Sequence, residues 1–163
     1  MFLVLDTSAL LSGRINSIPT GYEGVLITSG VRDEVGKGIP QRNLQNLLLA
    51  GLDIRDPHTV EKANEAARAT GDIDSLSSVD ISIIALAIEL DRSMVVTDDF
   101  RVQNVLKSLG IGFLPAGEIG NRTISDTWTW TYRCKGCGRY FEEAQKMDEC
   151  PICGSLVRKY RKR

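Results

Sequence analysis

The sequence holds a single histidine, His58, and no cysteine before residue 133. No pairing of that histidine with a nucleophile is indicated, and His58 reads as an ordinary surface or capping residue. No apolar run approaches the roughly 18–20 residues of a membrane-spanning helix, so none is expected and no membrane partner is assigned. A basic leader is missing too. The opening Met-Phe-Leu-Val-Leu-Asp meets an acid at once and reads as a first strand, not a secretion signal, which implies a cytoplasmic protein. Internal repeats and low-complexity tracts are also absent.

What is there divides the chain in two. Residues 1–132 carry 11 basic and 17 acidic side chains, whereas residues 133–163 carry 9 basic and 4 acidic ones together with all four cysteines. An acidic body with a basic, cysteine-bearing tail implies two parts acting on one anionic partner.

In the first part, short β-branched and leucine-rich runs alternate with helical periodicity. Strands are expected at Phe2–Leu5, Val25–Thr28, Leu52–Arg55, Met94–Val96 and Ile111–Leu114. A short helix follows Asp6, capped by Thr7 or Ser8. Others start at Ser29, at Pro40, at His58 with Val60 inward, at Ser77 and after Asp99. Strands separated by helices imply an α/β domain, a parallel sheet covered by helices on both faces. Residues 1–116 are assigned to it, 117–126 to a linker rich in Gly, Asn and Ser, and 127–163 to a small C-terminal module.

The stretch Leu76–Asp99 organises the first domain. Ser77 and Asp80 form a capping-box pattern ahead of the apolar helix Ile81–Leu90, and Asp98 and Asp99 end the strand that follows. Asp6, Glu34, Asp80 and Asp98 are each expected at the end of a strand or in the first turns of a helix. Each alone reads best as a helix cap or dipole partner. Together, on the edge where strand C-termini and helix N-termini meet, they repel unless a cation neutralises them, and hard oxygen donors of this kind suit Mg²⁺ or Mn²⁺. Asp99 is a candidate to share the role of Asp98. Asp72 and Asp74 read as solvated loop acids.

In the second part, Cys134-Lys-Gly-Cys137 and Cys150-Pro-Ile-Cys153 are two CxxC pairs with 12 residues between the inner cysteines. Two such knuckles supply the four thiolates of a closed structural zinc site, a zinc ribbon. Disulfides are disfavoured in an intracellular setting. Tyr140-Phe141 and the Met147 region are expected to form the intervening hairpin. Arg158, Lys159, Tyr160, Arg161, Lys162 and Arg163 offer five cations around one aromatic, suited to RNA phosphates and a stacked base. Trp128, Trp130, Tyr132 and Tyr140 are further stacking candidates.

Leu5-Asp6-Thr7-Ser8-Ala9, Glu34, Leu76-Ser77-Ser78-Val79-Asp80 and Val96-Thr97-Asp98-Asp99 together resemble the PIN domain, a metal-dependent ribonuclease fold. With the ribbon and basic C-terminus, the chain resembles the archaeal form of the ribosome-assembly endonucleases that mature the 3′ end of small-subunit ribosomal RNA. The resemblance implies that Asp6, Glu34, Asp80 and Asp98 bind the catalytic metal. It also implies single-stranded precursor rRNA in the assembling small ribosomal subunit as substrate, and a KH-domain assembly factor as partner. Two rivals stand beside this reading: a toxin-type PIN ribonuclease, against which the ribbon speaks, and a non-catalytic RNA-binding scaffold, against which the clustered acids speak.

Overall fold

The computed structural model describes residues 1–13, 15–36, 38–115, 130–141 and 148–161, with the side chain of Arg161 left aside. The expected linker 117–126, Trp128, Met147, Lys162 and Arg163 lie outside the described residues.

Five strands, β1 (Phe2–Leu5), β2 (Gly24–Ile27), β3 (Leu52–Ile54), β4 (Ser93–Val96) and β5 (Gly112–Leu114), form one parallel sheet in the order β3-β2-β1-β4-β5. The chain builds outward from β1 to β3, then crosses back to lay β4 on the other side of β1. The strand order therefore reverses between β1 and β4. Crossovers of one hand on either side of such a point put helices on opposite faces and open a crevice at the C-terminal strand ends. The helices sort accordingly. Helix α1 (Thr7–Leu11) packs on α3 (Ile39–Leu49), while α4 (Glu61–Thr70), α5 (Ser78–Glu89) and α6 (Phe100–Ser108) pack on one another; α2 (Ser29–Glu34) touches both α1 and α5.

Burial explains why the central strands lack alternation. Leu3, Val4 and Leu5 of β1 and Val25, Leu26 and Ile27 of β2 are all within 2 % of full burial, as strands covered on both faces must be. Helix α5 is apolar nearly all round, with Ile81, Ile83, Ile84, Ala85, Leu86 and Ala87 buried. It lies against β1 and β4 behind the reversal point.

Two local expectations are corrected. The cap of α1 is Asp6, whose side chain accepts from Thr7 N, rather than Thr7 or Ser8. Helix α4 begins at Glu61 rather than His58, and Val60 precedes it, 38 % exposed. The cause is Glu89 at the end of α5. Its carboxylate accepts from the backbone amides of His58 (2.7 Å) and Thr59 (3.0 Å) and pairs with His58 Nδ1 (2.9 Å), holding that stretch outside the helix.

The C-terminal module is a second, antiparallel sheet of β6 (Trp130–Cys134), β7 (Tyr140–Phe141) and β8 (Val157–Arg161), in the order β7-β6-β8. Its buried core among the described residues is Cys134, Cys150 and Val157, flanked by Tyr132 and Phe141.

Candidate metal and nuclease site

Register places the acids. Leu5 of β1 pairs with Val96 of β4, and Asp6 N donates to Val96 O at 3.0 Å, so Asp6 and the Thr97-Asp98 pair emerge side by side at the reversal point. Asp6 is 5 % exposed and holds three donors: Thr7 N at 2.6 Å, Ser8 Oγ at 3.0 Å and Thr97 Oγ1 at 2.6 Å. The two hydroxyls also tie the strand ends together, because Ser8 Oγ accepts from Asp98 N (3.2 Å) and Thr97 Oγ1 from Asp99 N (3.1 Å). From α6, the buried Gln103 donates to Thr97 O at 2.9 Å.

The other acids arrive from helices, and Glu34 is corrected from a first turn to the last residue of α2, where it is no partner of the helix dipole. Thr7 Oγ1 donates to Glu34 Oε2 at 2.5 Å, so α2 presents Glu34 next to the Asp6 turn. Asp80 is the third residue of α5 and completes the expected capping box: Ser77 N donates to its carboxylate at 2.7 Å, and Asp80 N to Ser77 Oγ at 3.1 Å. A glycine allows α2 to come this close. A Cβ on Gly30 would lie 2.9 Å from Val79 Cγ2, closer than such atoms approach.

Burial pushes the Asp6 carboxyl above its ordinary value; its three hydrogen bonds act downward, and the charge of Asp80 adds to the rise. A carboxylate desolvated beside another carboxylate is the kind of group that a cation stabilises. The oxygens stay apart nonetheless. Among the described residues no three acids bring one oxygen each within 4.8 Å of one another. A small hard dication that keeps several waters and takes one or two carboxylates fits such a spread oxygen set.

Asp99 is engaged elsewhere. It caps α6, accepting from Arg101 N at 2.8 Å, and Arg101 Nε and Nη2 fork onto its two oxygens at 3.1 and 2.8 Å. Burial works to raise its pKa, but the Arg101 contacts outweigh it and the carboxyl lies below its usual value. Asp72 reverses the expectation of a solvated acid. It is 2 % exposed and accepts from Asn104 Nδ2 at 2.7 Å. Asp74 accepts from Tyr132 Oη of the ribbon at 3.2 Å.

The four cysteines do converge. All are free thiols, and their sulfurs lie within 4.8 Å of one another, with Cys134–Cys153 at 3.4 Å and Cys137–Cys150 at 3.8 Å. Four sulfurs about 2.3 Å from a tetrahedral zinc stand roughly 3.8 Å apart, so the cluster suits that ion. Both knuckles turn on a glycine with positive φ: Gly138 (72°) and Gly154 (67°) donate to Cys134 O and Cys150 O at 3.2 and 2.9 Å. Hydrogen bonds from Ser155, side chain first and then backbone, bring the Cys153 thiol down to about 6, whereas at Cys137 a backbone hydrogen bond from Arg139 is outweighed by burial and the neighbouring sulfurs, which push it up to about 11.

The expected RNA-contact tail is in part a strand. Arg158, Lys159, Tyr160 and Arg161 belong to β8 and pair with Arg133, Tyr132, Thr131 and Trp130 of β6. Alternation splits their side chains. Arg158 and Tyr160 share a face with Arg133, whose guanidinium lies 5.3 Å over the Tyr140 ring; Lys159 is on the other face, its ammonium 5.0 Å over the Trp130 ring. On that second face a Cβ added to Gly71 would lie 2.9 Å from Trp130 Cβ, so the ribbon sits against the end of α4. Tyr132 and Trp130 are accordingly contacts with the first domain.

Sequence reading missed Ser8, Thr97, Gln103 and Arg101. Hydroxyls directly beside strand-end acids were the available signal for the first two. The amide and the guanidinium lie on a helix whose apolar stripe gave no hint of them.

Residues 3–90 match the model of the PIN domain of ribonuclease. The chain belongs to the PIN-domain endoribonucleases. It is 37% identical over 163 residues to Endoribonuclease Nob1 of Methanothermobacter thermautotrophicus, covering 96% of this chain and 91% of that one. It is equally 37% identical over 163 residues to Ribonuclease VapC1 of Thermoplasma acidophilum, covering 98% and 78%. A second Endoribonuclease Nob1, from Archaeoglobus fulgidus, is 44% identical over 103 residues, 61% of this chain and 58% of that one. PIN nucleases as a class depend on divalent metal ions. No helix among the described residues is long and apolar enough to cross a membrane.

Proposed function

We propose that this endoribonuclease cuts single-stranded precursor rRNA at the 3′ end of the small-subunit rRNA, within the assembling small subunit. The carrying observation is the pairing, on one chain, of an acidic edge at the β1/β4 reversal with a four-thiol ribbon ending in a cationic strand. Relatives called Endoribonuclease Nob1 match over that whole span.

In this reading Asp6, Glu34, Asp80 and Asp98 hold Mg²⁺ or Mn²⁺, and Cys134, Cys137, Cys150 and Cys153 hold zinc. A divalent ion at the edge supplies Lewis-acid activation of water and of a phosphate oxygen. The chain's own part is placement. Thr7, Ser8 and Thr97 hold Asp6 ionisable inside an apolar wall, Thr7 orients Glu34, and the capping box fixes Asp80. Of the run Arg158–Arg163, Arg158 and Tyr160, with Arg133 and Tyr140 beside them, take the RNA strand. A KH-domain assembly factor is the proposed protein partner, on family resemblance alone, and the cytoplasm the proposed location.

The VapC1 relative favours a second reading, a toxin-type ribonuclease acting on mature RNA. Its match runs over 98% of this chain, so the ribbon does not separate the two readings; the substrate does. Purified full-length protein with Mn²⁺ is expected to cut a transcript spanning the mature 3′ end at one position and to leave mature rRNA and tRNA intact, with activity lost to a chelator that spares the zinc. Cleavage of mature RNA with no preference for the precursor would overturn the rRNA-processing proposal in favour of the second.

A further inference from the structure

The first turns of α6 turn two polar side chains inward and send a third, the half-exposed Arg101, across the edge. Gln103 and Asn104 are 0 % and 2 % exposed, and with Arg101 all three act at the edge rather than along the helix. Arg101 divides its donors between two segments. Its Nε and Nη2 grip Asp99, the neighbour of Asp98, while its Nη1 donates to Ser75 O at 2.9 Å. Ser75 stands two residues before Ser77, the cap of the helix that carries Asp80. One turn further along the same face, Asn104 Nδ2 donates to the buried Asp72 at 2.7 Å. Asp72 N in turn donates to Ala67 O and Asp72 O accepts from Ser75 N, both at 2.8 Å. The 72–75 turn is thus closed on itself and held to α6 at two points.

We propose that Arg101 and Asn104, with Asp72 as the anchor they grip, are positioning residues that set the spacing of Asp98 and Asp80 and so the divalent-ion affinity of the edge. The inference rests on the acidic edge being the metal site. Its ground is the pattern of contacts. Arg101 joins the two segments that end in different acids of the proposed set, and a rigid fork with a third donor is something a lysine does not reproduce. Asp72 is a carboxylate buried where an apolar side chain would serve packing alone. Its charge and that of Asp80 both favour the Arg101 cation after Asp99, so the guanidinium also relieves the repulsion that spreads the acids.

The test is Mn²⁺ titration of the full-length, zinc-loaded protein, followed by the electron paramagnetic resonance of free Mn²⁺, with Arg101→Lys, Asp72→Asn and Asp80→Asn beside the parent. Outer-shell partners of a metal site are worth about 10- to 100-fold in affinity, and a loss of that size is expected for Arg101→Lys and a smaller one for Asp72→Asn, each with parental zinc content. Steady-state cleavage should show kcat falling at limiting Mn²⁺ and returning at saturating Mn²⁺, with KM for RNA unchanged. Parental Mn²⁺ affinity with a raised KM for Arg101→Lys makes that residue an RNA contact and overturns the proposal. Asp72→Asn, out of reach of RNA, decides the matter if Arg101→Lys fails to fold, parental affinity again overturning it. If Asp80→Asn itself binds Mn²⁺ like the parent, the acidic edge is not the metal site and both readings fall.

Discussion

At the ribbon, four sulfurs lie within 4.8 Å of one another on a sheet whose buried core, among the described residues, is two cysteines and a valine; at the sheet edge, carboxylates project from a continuous apolar core, and no three of those described gather as the sulfurs do. The contrast follows from charge and from what holds each site. Four thiolates form the closed ligand set of a structural zinc, whereas carboxylates repel one another and need a cation to neutralise them. The described ribbon buries two of its own ligands, Cys134 and Cys150, as core, so its site is part of its fold. The edge is built by the sheet, the caps and the hydroxyls, and needs no ion to exist. The ribbon should therefore fail structurally when its ligands are changed, and the edge should fail chemically.

The largest effect is expected at the ribbon. Cys134→Ser or Cys150→Ser should release zinc and unfold the β6–β8 sheet, since a structural zinc contributes on the order of 10–16 kcal/mol of folding free energy to small modules. Amide resonances from residues 2–115 should persist. Native protein without zinc by elemental analysis, or a ribbon that stays folded after either change, would break the comparison on this side.

Next comes the edge. Asp80→Asn keeps an oxygen for Ser77 N and keeps the cap, so the melting temperature should hold or rise slightly. Cleavage should nevertheless fall by more than about 100-fold, beyond what the loss of an outer-shell partner costs. Asp98→Asn should behave likewise. Asp6→Asn should be as inactive but less neutral in stability, because an amide presents one oxygen to three donors. Parental cleavage by Asp80→Asn and Asp98→Asn would leave Asp80 as a capping-box residue alone and take Asp98 out of the active site.

How much of this the sequence disclosed depends on range. The capping box at Ser77 and Asp80, the strand ends at Asp6 and Asp98 and the two CxxC knuckles were legible because each is a local pattern with a single physical meaning. Asp72 was not: a loop acid between Gly71 and Ile73 reads as solvated, and only its contact with Asn104, 32 residues on, shows it buried. The same holds for the start of α4, which Glu89 decides from 31 residues away. Asp99 is a related case. The pair Asp98-Asp99 left its share of the work open, and Arg101, two residues on, turns it into a clamp. The alternation of Arg158, Lys159 and Tyr160 between two faces was hidden because a run of cations looks uniform until a partner strand sets its register.

A smaller effect concerns proton competition. Asp6 has its pKa raised, so Mn²⁺ affinity should fall as pH drops through a midpoint above the ordinary 3.8. Thr97→Val removes the hydrogen bond that lowers this pKa most and should move the acid limb to higher pH. Stability of the metal-free protein carries the opposite sign. The folded state binds the extra proton, so Asp6 makes stability fall as pH rises from 3.8 through the raised value. In Mn²⁺ titrations between pH 4.5 and 7, an acid limb in Thr97→Val that coincides with the parent's would mean that the hydroxyl does not hold Asp6.

The smallest effects should separate the two faces of the ribbon. Arg133 and Arg158 stand directly opposite each other on exposed backbone, an arrangement that costs stability unless an anion lies between the two charges. Tyr140 and Tyr160 flank them, 58 % and 41 % exposed, as stacking surfaces for unpaired bases. Lys159, over Trp130 on the face turned to the first domain, has no such setting. Arg133→Ala and Arg158→Ala should each weaken RNA binding several-fold and reduce the slope of log K against log salt by about 0.7, the value of one phosphate on a single strand. Arg158→Ala should not lower the melting temperature of the zinc-loaded ribbon, since it relieves a like-charge pair, whereas Arg133→Ala also gives up the contact over the Tyr140 ring. Lys159→Ala should change the salt slope least of the three. If Lys159→Ala instead shows the larger slope change, the RNA runs along the inner face, between ribbon and nuclease domain, and the division of labour across β8 is reversed.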